Sequence, residues 1–393
     1  MIRVAFVLND IGDRWLGGVN YYRNLFSALE LIENRKIAPV VFLGAQASDS
    51  FARNFKSAEI VRSTILDRKT PGWIVRKVAS RFMPERRDPL LYALLRQYKI
   101  DVVSHYHYGS VWWGKKIKMI GWIPDFQHLY YPNFFLPSES STRDVQYERV
   151  CRLCDRVILS SNAVRDDLKV FAPGALPKSR VLRFVPDVSF ASPIVSLEDL
   201  KRKYGFKAPF FFLPNQFHIH KNHRVVVEAL AELKKKGAAA TVVATGNTAD
   251  YRRPDYFPAL LDQVTSLDVK NFFKIIGMVP YEDLVSLMCH SIAVINPSLF
   301  EGWSTTVEEA KALNKVTLLS DIAVHREQNP NGSFFFNPND CSDLAEKMFA
   351  VLNSSTDLTS AYAVPDEGYQ ARRANFACEY QKVVIETVAQ ENP

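Results

Sequence analysis

The sequence predicts an α/β protein built from two doubly wound, Rossmann-like parallel-sheet domains. Three observations predict it. Short β-branched runs, apolar on both faces, alternate with segments of helical period, as buried parallel strands and their crossover helices do. The alternation stops at Pro186-Asp-Val-Ser-Phe-Ala-Ser-Pro193, which reads as a linker, and then restarts. The length of 393 residues exceeds what one compact α/β domain usually holds and suits two.

In the first half the predicted strands are Arg3–Leu8, Pro39–Leu43, Asp101–His105, Lys118–Ile123, Arg156–Ser160 and Arg180–Val185, with helices at Tyr21–Leu31 and Val145–Leu153 among them. After the linker they are Pro209–Leu213, Ala240–Thr245, Asn271–Ile276, Ile292–Asn296, Lys315–Ser320 and Ser333–Phe336. The helices there are His223–Lys236, Tyr281–Cys289, Thr305–Leu313 and Asp340–Leu352. The domains are placed at residues 1–188 and 194–368. A last helix, Tyr369–Val388, follows the completed second sheet. Its Phe376, Tyr380, Val383, Val384 and Val388 recur at helical spacing, so it is expected to pack back on the first domain. Ligands of such sheets bind outside the carboxyl ends of the strands, and two such domains facing each other would hold a ligand in a central cleft.

Hydrophobic residues make up 47% and charged residues 23% of the chain, as in ordinary globular proteins. The net charge of +7 suits anionic ligands, an anionic membrane surface or nucleic acid without selecting among them. Met1–Asp10 has no secretory h-region or cleavage site, and no run reaches the roughly 18 apolar residues of a membrane span. A cytoplasmic location is expected, with peripheral contact at the inner face of a membrane at most. Five cysteines do not make a disulfide framework. Cys151 and Cys154 have CxxC spacing but no second pair, and read as small apolar residues on one helix face.

The segment Arg62–Arg87 carries Arg62, Arg68, Lys69, Arg76, Lys77, Arg81, Arg86 and Arg87 against Asp67 and Glu85, with Trp73, Ile74, Val78 and Phe82 interleaved. It can sit on an anionic membrane. The plain alternative is a solvated helix with its apolar face on its own domain.

Four stretches carry chemistry. Gly17-Gly18 follows the first strand and opens the first helix, where glycine lets the backbone approach a phosphate and a helix start attracts an anion. Asp125, Gln127 and His128 cluster where a buried strand ends. Asp125 can accept hydrogen bonds from an acceptor hydroxyl or act as a base, and His128 can contact a sugar hydroxyl or a phosphate. In Leu213–His223, Lys221, with His218 or His220, can neutralise a diphosphate, while His223 reads as a capping or packing residue. No carboxylate or cysteine stands at ligand spacing there, so no metal is expected. In Asn296-Pro-Ser-Leu-Phe-Glu301-Gly302-Trp-Ser304-Thr305-Thr306-Val-Glu-Glu309, a strand, a glycine turn and a helix follow one another. Ser304 is a reasonable N-cap. The Thr305 and Thr306 amides can hold an anion. Glu301 in the turn can reach a sugar, Glu309 can reach ribose hydroxyls, and Glu308 is expected to be solvated.

Asn296–Glu309, Ser320–Glu327 and Phe335–Asp340 together resemble the donor domain of the family 4 retaining glycosyltransferases, of GT-B fold. Glu301 and Glu309 match that family's E-x7-E motif, and Gly302 matches the glycine after the first Glu. Gly17-Gly18 falls at the family's N-terminal glycine loop. Trp122–His128 with Pro132 is similar to the acceptor-side loop of bacterial polysaccharide-assembling members. Asn215–Asn222 falls at the R-x4-K element, where Lys221 matches the phosphate-binding Lys. Gln216 stands where many members carry Arg, and Ser304 where Gly is usual. The resemblance implies metal-independent transfer, with retention, of a hexose-type sugar from a GDP- or UDP-sugar to a saccharide or lipid-linked hydroxyl in polysaccharide or lipopolysaccharide assembly. It implies no cofactor beyond the nucleotide-sugar cosubstrate and no nucleic-acid partner. Two rivals share the layout: a sugar-nucleotide epimerase and a non-catalytic nucleotide-sugar-binding protein. A nicotinamide dehydrogenase is poorly supported, because no GxGxxG follows the first strand.

Overall fold

The apolar runs become parallel strands because both of their faces are covered. Phe210-Phe-Phe-Leu-Pro214 shows this best: its first four residues are all 0% exposed, where a strand with one wet face would alternate. The computed structural model describes residues 1–8, 16–82, 88–105, 117–191, 193–354 and 368–390.

Among the described residues, the first sheet comprises β1 (Ile2–Val7), β2 (Ile37–Gly44), β3 (Glu59–Ser63), β4 (Val102–Ser104), β5 (Lys118–Ile123), β6 (Arg156–Leu159) and β7 (Ser179–Val181). Its order is β3-β2-β1-β4-β5-β6-β7, all parallel. The second comprises β8 (Phe210–Pro214), β9 (Thr241–Thr245), β10 (Phe273–Ile275), β11 (Ala293–Asn296), β12 (Thr317–Ser320) and β13 (Ser333–Phe336). Its order is β10-β9-β8-β11-β12-β13, again all parallel. Both follow the doubly wound pattern in which the strand order reverses beside the first strand. The expected α/β, two-sheet architecture is therefore present. β3 is an addition to the sequence reading: it is an edge strand with Glu59 and Arg62 exposed, so its apolar signal is weak. Arg62 lies on this strand and bonds Asp49 at 2.6 Å.

The chain divides into two compact units: Met1–Phe126, Pro137–Val185 and Gln370–Pro393 form one, Gln127–Leu136 and Pro186–Tyr369 the other. In the first unit the helix Pro137–Leu153 lies close on β5 because of Gly121. A Cβ there would stand 2.4 Å from Val150 Cγ1 and 2.9 Å from Cys154 Sγ. Cys151 and Cys154 are buried, unbridged core residues, and burial pushes their thiols up to about 11 and about 12. The helix Tyr369–Ala389 buries Phe376, Tyr380, Val383 and Val384, while Val388 is exposed. The Tyr380 hydroxyl donates to Ser104 Oγ at 2.8 Å, and Arg180 pairs with Glu386. In the second unit the buried Tyr369 hydroxyl accepts the Val188 N–H at 2.8 Å and donates to Pro186 O at 2.9 Å. One hydroxyl thus ties together two of the four places where the chain passes between units.

Candidate functional site

The order of the second sheet reverses between β8 and β11. This reversal is the topological switch point, outside whose strand ends ligands of such sheets bind. Polar side chains just past the two strands stitch the loops together. Asn215 Nδ2 donates to Asn296 Oδ1 at 3.3 Å, Asn296 Nδ2 donates to Ser304 Oγ at 2.7 Å, and Leu299 N donates to His220 O at 2.8 Å.

Lys221 and Glu301, one from each loop, meet here. Lys221 Nζ donates to Glu301 Oε1 at 2.5 Å. Ser298 Oγ lies 2.7 Å from the same carboxylate oxygen and 2.8 Å from Asn296 Oδ1, and its single proton serves one at a time. Burial works to raise the Glu301 carboxyl. The charges of Lys221 and His325, with the hydrogen bonds from Lys221 and Ser298, outweigh it and hold the group below the usual carboxylate range. His325 is itself 0% exposed, and burial pushes it down to about 4, so near neutrality Lys221 is the cation that matters. His325 Nδ1 donates to Ser320 O at 2.9 Å, which leaves Nε2 a buried acceptor with no hydrogen-bond partner among the described residues.

The three other histidines of this region carry no charge near neutrality. Burial, with the Arg252 and Lys221 charges nearby, takes His218 down to about 4, against a smaller opposing pull from Asp250. Burial, then Lys221, pushes His220 well down. In the ligand-free site, each can therefore offer an N–H to a diphosphate, while Lys221 supplies the charge. His223 is fully buried, stacks on Phe217 at 4.3 Å and lies 3.2 Å from Asn215 O through Nε2.

The helix Thr305–Ala312 begins beside the pair. Ser304 caps it, accepting the Val307 N–H at 3.4 Å, and Thr306 Oγ1 donates to Pro214 O at 3.3 Å. First-turn amides of a helix have no acceptor within it, and with the dipole they favour an anion. Glu309 is 7% exposed and accepts the Tyr281 hydroxyl at 3.0 Å. Glu308 is buried too, accepting Gln328 Nε2 at 2.9 Å, which corrects the expectation that it is solvated. The helix sits inside the unit, so both faces are covered. Gln216 and Gly302 are half-buried on the two loops.

Gly17, exposed, and Gly18, buried, lie in the first turn of the helix Leu16–Leu29; residues 9–15, which lead to it, lie outside the described residues. Asp125 belongs to the first unit and pairs with Arg143 Nη1 at 3.2 Å. His128 lies in Gln127–Leu136, which groups with the second unit; it is buried, edge-on to Phe135. In that segment Tyr131 donates to Leu299 O at 3.4 Å and Tyr130 packs 5.2 Å from Phe300. It therefore rests on the loop that carries Glu301. The sequence reading did not single out Asn215, Tyr281, Ser298, His325, Gln328 or Arg252. Their one signal is a polar side chain just past a buried strand or facing a helix from afar.

Residues 198–363 match the family described as Glycosyl transferases group 1. A stretch of 88 residues is 33% identical to the O-antigen chain mannosyltransferase RfbU of Salmonella typhimurium. The match takes in 22% of this chain and 25% of that relative's length. A glycosyltransferase structure from Rickettsia africae superposes with a TM-score of 0.66 at 18% identity, over 98% of this chain and 97% of the other. Anabaena HepE, crystallised in complex with UDP and glucose, gives 0.70 at 16% identity, over 99% and 100%. Residues 198–363 thus match a group 1 glycosyltransferase domain, and the chain as a whole has the GT-B fold of these structures.

Proposed function

We propose that this chain is a retaining, metal-independent glycosyltransferase. It moves a hexose-type sugar from a GDP- or UDP-sugar to a hydroxyl of a saccharide or lipid-linked acceptor, in cell-surface polysaccharide assembly. The observation that carries the reading is the buried Lys221–Glu301 pair at the switch point of the second sheet, beside a capped helix start. The Anabaena complexes with UDP and with UDP-glucose support a nucleotide-sugar donor, and the O-antigen relative supports a polysaccharide acceptor.

In this reading Lys221 turns from Glu301 to the donor diphosphate, whose other oxygens meet the helix start at Thr305 and Thr306. Glu301 then takes sugar hydroxyls, and Glu309, oriented by Tyr281, takes the ribose. Gly17 and Gly18 let the backbone approach the diphosphate, and Asp125 and His128 address the acceptor or the donor sugar. The acceptor oxygen forms its bond to the anomeric carbon as the bond to the phosphate oxygen breaks. The acceptor proton passes to that leaving oxygen on the same face. Lys221 and the helix dipole stabilise the charge left on the diphosphate. A thermal-shift series with UDP-glucose, GDP-mannose and a dTDP-sugar tests it. One donor at about a hundred times its Kd stabilises by about 2.7 kcal/mol; if none stabilises, the reading fails. If a donor is isomerised with no acceptor present, the protein is an epimerase.

Membrane contact belongs to the same reading. On the helix Pro71–Arg81, Ile74, Val75 and Val78 are exposed, and Phe82 just beyond it is 82% exposed. Arg68, Lys69, Lys77 and Arg81 are exposed with them. Arg76 is instead buried against Asp88, and Arg86 and Arg87 lie outside the described residues. No helix of the described residues is long and apolar enough to cross a membrane. This apolar face with its basic flank fits the interface of an anionic leaflet. Lys77→Ala/Arg81→Ala is expected to reduce partitioning onto phosphatidylserine vesicles roughly thirtyfold, at about 1 kcal/mol per cation. Unchanged partitioning in co-sedimentation would refute it.

A further inference from the structure

With Gln216 in place of an arginine, the loop after β8 offers one fixed cation, Lys221, already shared with Glu301. His218 and His220 supply no charge near neutrality, yet a diphosphate carries more than one. We propose that Arg252, on the loop after β9, is the second diphosphate-binding cation of this site and stands in for the charge that Gln216 lacks. The inference rests on the nucleotide-sugar reading above.

The geometry is specific. β8 and β9 are parallel neighbours, so their following loops leave the same edge of the sheet. They are in direct contact: Phe217 N donates to Asn247 O at 2.9 Å, and Gly246 lies against the backbone of Asn215 and Gln216. Gly246 and Asn247, which lead into the segment that carries Arg252, are thus laid along Asn215–Phe217. Arg252 is held in place there. Its side chain is 12% exposed, Nε donates to Asp250 Oδ1 at 3.1 Å, and Nη2 lies 3.4 Å from Asp250 Oδ2. The guanidinium carbon stands 5.2 Å over the Phe135 ring and 5.9 Å over Tyr251. Asp250 is itself buried.

A buried, pre-oriented arginine is costly to keep for packing alone, and an arginine fork suits phosphate oxygens better than a lysine point charge does. Asp250 engages Nε and one side of Nη2. Nη1 has no hydrogen-bond partner among the described residues, so N–H donors remain for an anion. Arg252 also acts electrostatically on the same two imidazoles as Lys221, His218 and His220. Arg252 therefore lies near the loop that carries Lys221, at which a diphosphate would lie.

The test uses the full chain and calorimetric titration with uridine, UMP, UDP, guanosine and GDP. Arg252→Ala is expected to weaken binding of the preferred diphosphate about 10–100-fold, as loss of a charge-assisted bond does, and to leave the nucleoside within about twofold. Arg252→Ala/Gln216→Arg is expected to restore diphosphate affinity. Asp250→Asn, which releases the guanidinium, is expected to tighten it. Arg252→Gln, which keeps length and polarity without charge, carries the test if the alanine variant does not fold. If the wild type binds UDP or GDP and both Arg252 variants bind equally well, or lose nucleoside affinity to the same degree, Arg252 only positions the loop and the inference is overturned. If the wild type binds neither diphosphate, the functional reading falls first and this inference with it.

Discussion

Lys221→Ala is expected to lower sugar transfer about 10²–10³-fold, the scale seen when one preorganised group that stabilises developing charge is removed. It is also expected to make the second unit's stability depend on pH in the opposite sense to the wild type. In the wild type the Glu301 carboxyl is held below its unfolded-state range, chiefly by Lys221 against the pull of burial. Its contribution is fully present above the unfolded value and is lost as pH falls through the lower folded value, in the acid region. In Lys221→Ala the carboxyl keeps only Ser298 as a side-chain donor, while burial still raises its pKa. The folded state then binds the proton more tightly than the unfolded one. Stability falls as pH rises from about 4.3, the free carboxyl value, by linkage. The loss levels off once the buried group ionises or the site rearranges. A buried pair stripped of one partner costs about 3–5 kcal/mol, which proton uptake relieves at the acid end. Lys221→Met/Glu301→Gln removes both charges, so it should recover most of the stability and none of the turnover. Urea titrations at several pH values decide it: a Lys221→Ala curve parallel to wild type across pH 4–8 would show that the pair is not energetically coupled.

That pair marks the limit of what the sequence made legible. The sheets were readable because buried parallel strands are apolar on both faces: Phe210–Pro214 could be little else. β3 was not, because an edge strand with Glu59 and Arg62 exposed has half the apolar signal. On the site loops, Lys221 and Glu301 could each be picked out as polar residues just beyond a buried strand. That they touch could not, since they are 80 residues apart and meet only because β8 and β11 are neighbours at the order reversal. The same holds for Tyr281 against Glu309 and for Asn247 against Phe217, which are facts of strand order rather than local pattern. Glu308 shows the opposite failure. It was expected to be solvated, but the helix Thr305–Ala312 is covered on both faces, so Gln328 rather than water meets it. Gln127–Leu136 comes from the first half of the sequence yet packs on Leu299 and Phe300, a contact that no reading of local composition reveals.

Gly246→Ala is expected to be the most damaging small substitution in the second unit. Gly246 follows β9 at φ 151°, and a Cβ there would stand 2.4 Å from Asn215 O and 2.7 Å from Gln216 Cα. Both are backbone atoms, so no side chain can swing aside, and the loop after β8 must move. Neither loop is free to give way: Gly246 N donates to Gly277 O at 3.0 Å, and Phe217 N, on the loop after β8, donates to Asn247 O at 2.9 Å. The expected cost is about 3 kcal/mol, at the upper end for overpacking, or roughly 6–12 °C in Tm for a domain of this size. The displaced loop carries Gln216 and Lys221, so diphosphate affinity should fall with stability, although Gly246 itself offers no group to a ligand. Gly237 supplies the control. It also has positive φ, 73°, but a Cβ there meets nothing within 4 Å. Gly237→Ala therefore carries backbone strain without a clash and is expected to cost about 1 kcal/mol, with nucleotide binding unchanged. Thermal unfolding of the two variants with and without UDP separates the terms. Equal losses would mean that positive φ alone sets the cost and that the contact between the two loops is slack. A large loss confined to Gly246→Ala, with weakened nucleotide binding, is what a site held rigid by backbone packing between neighbouring strand ends requires.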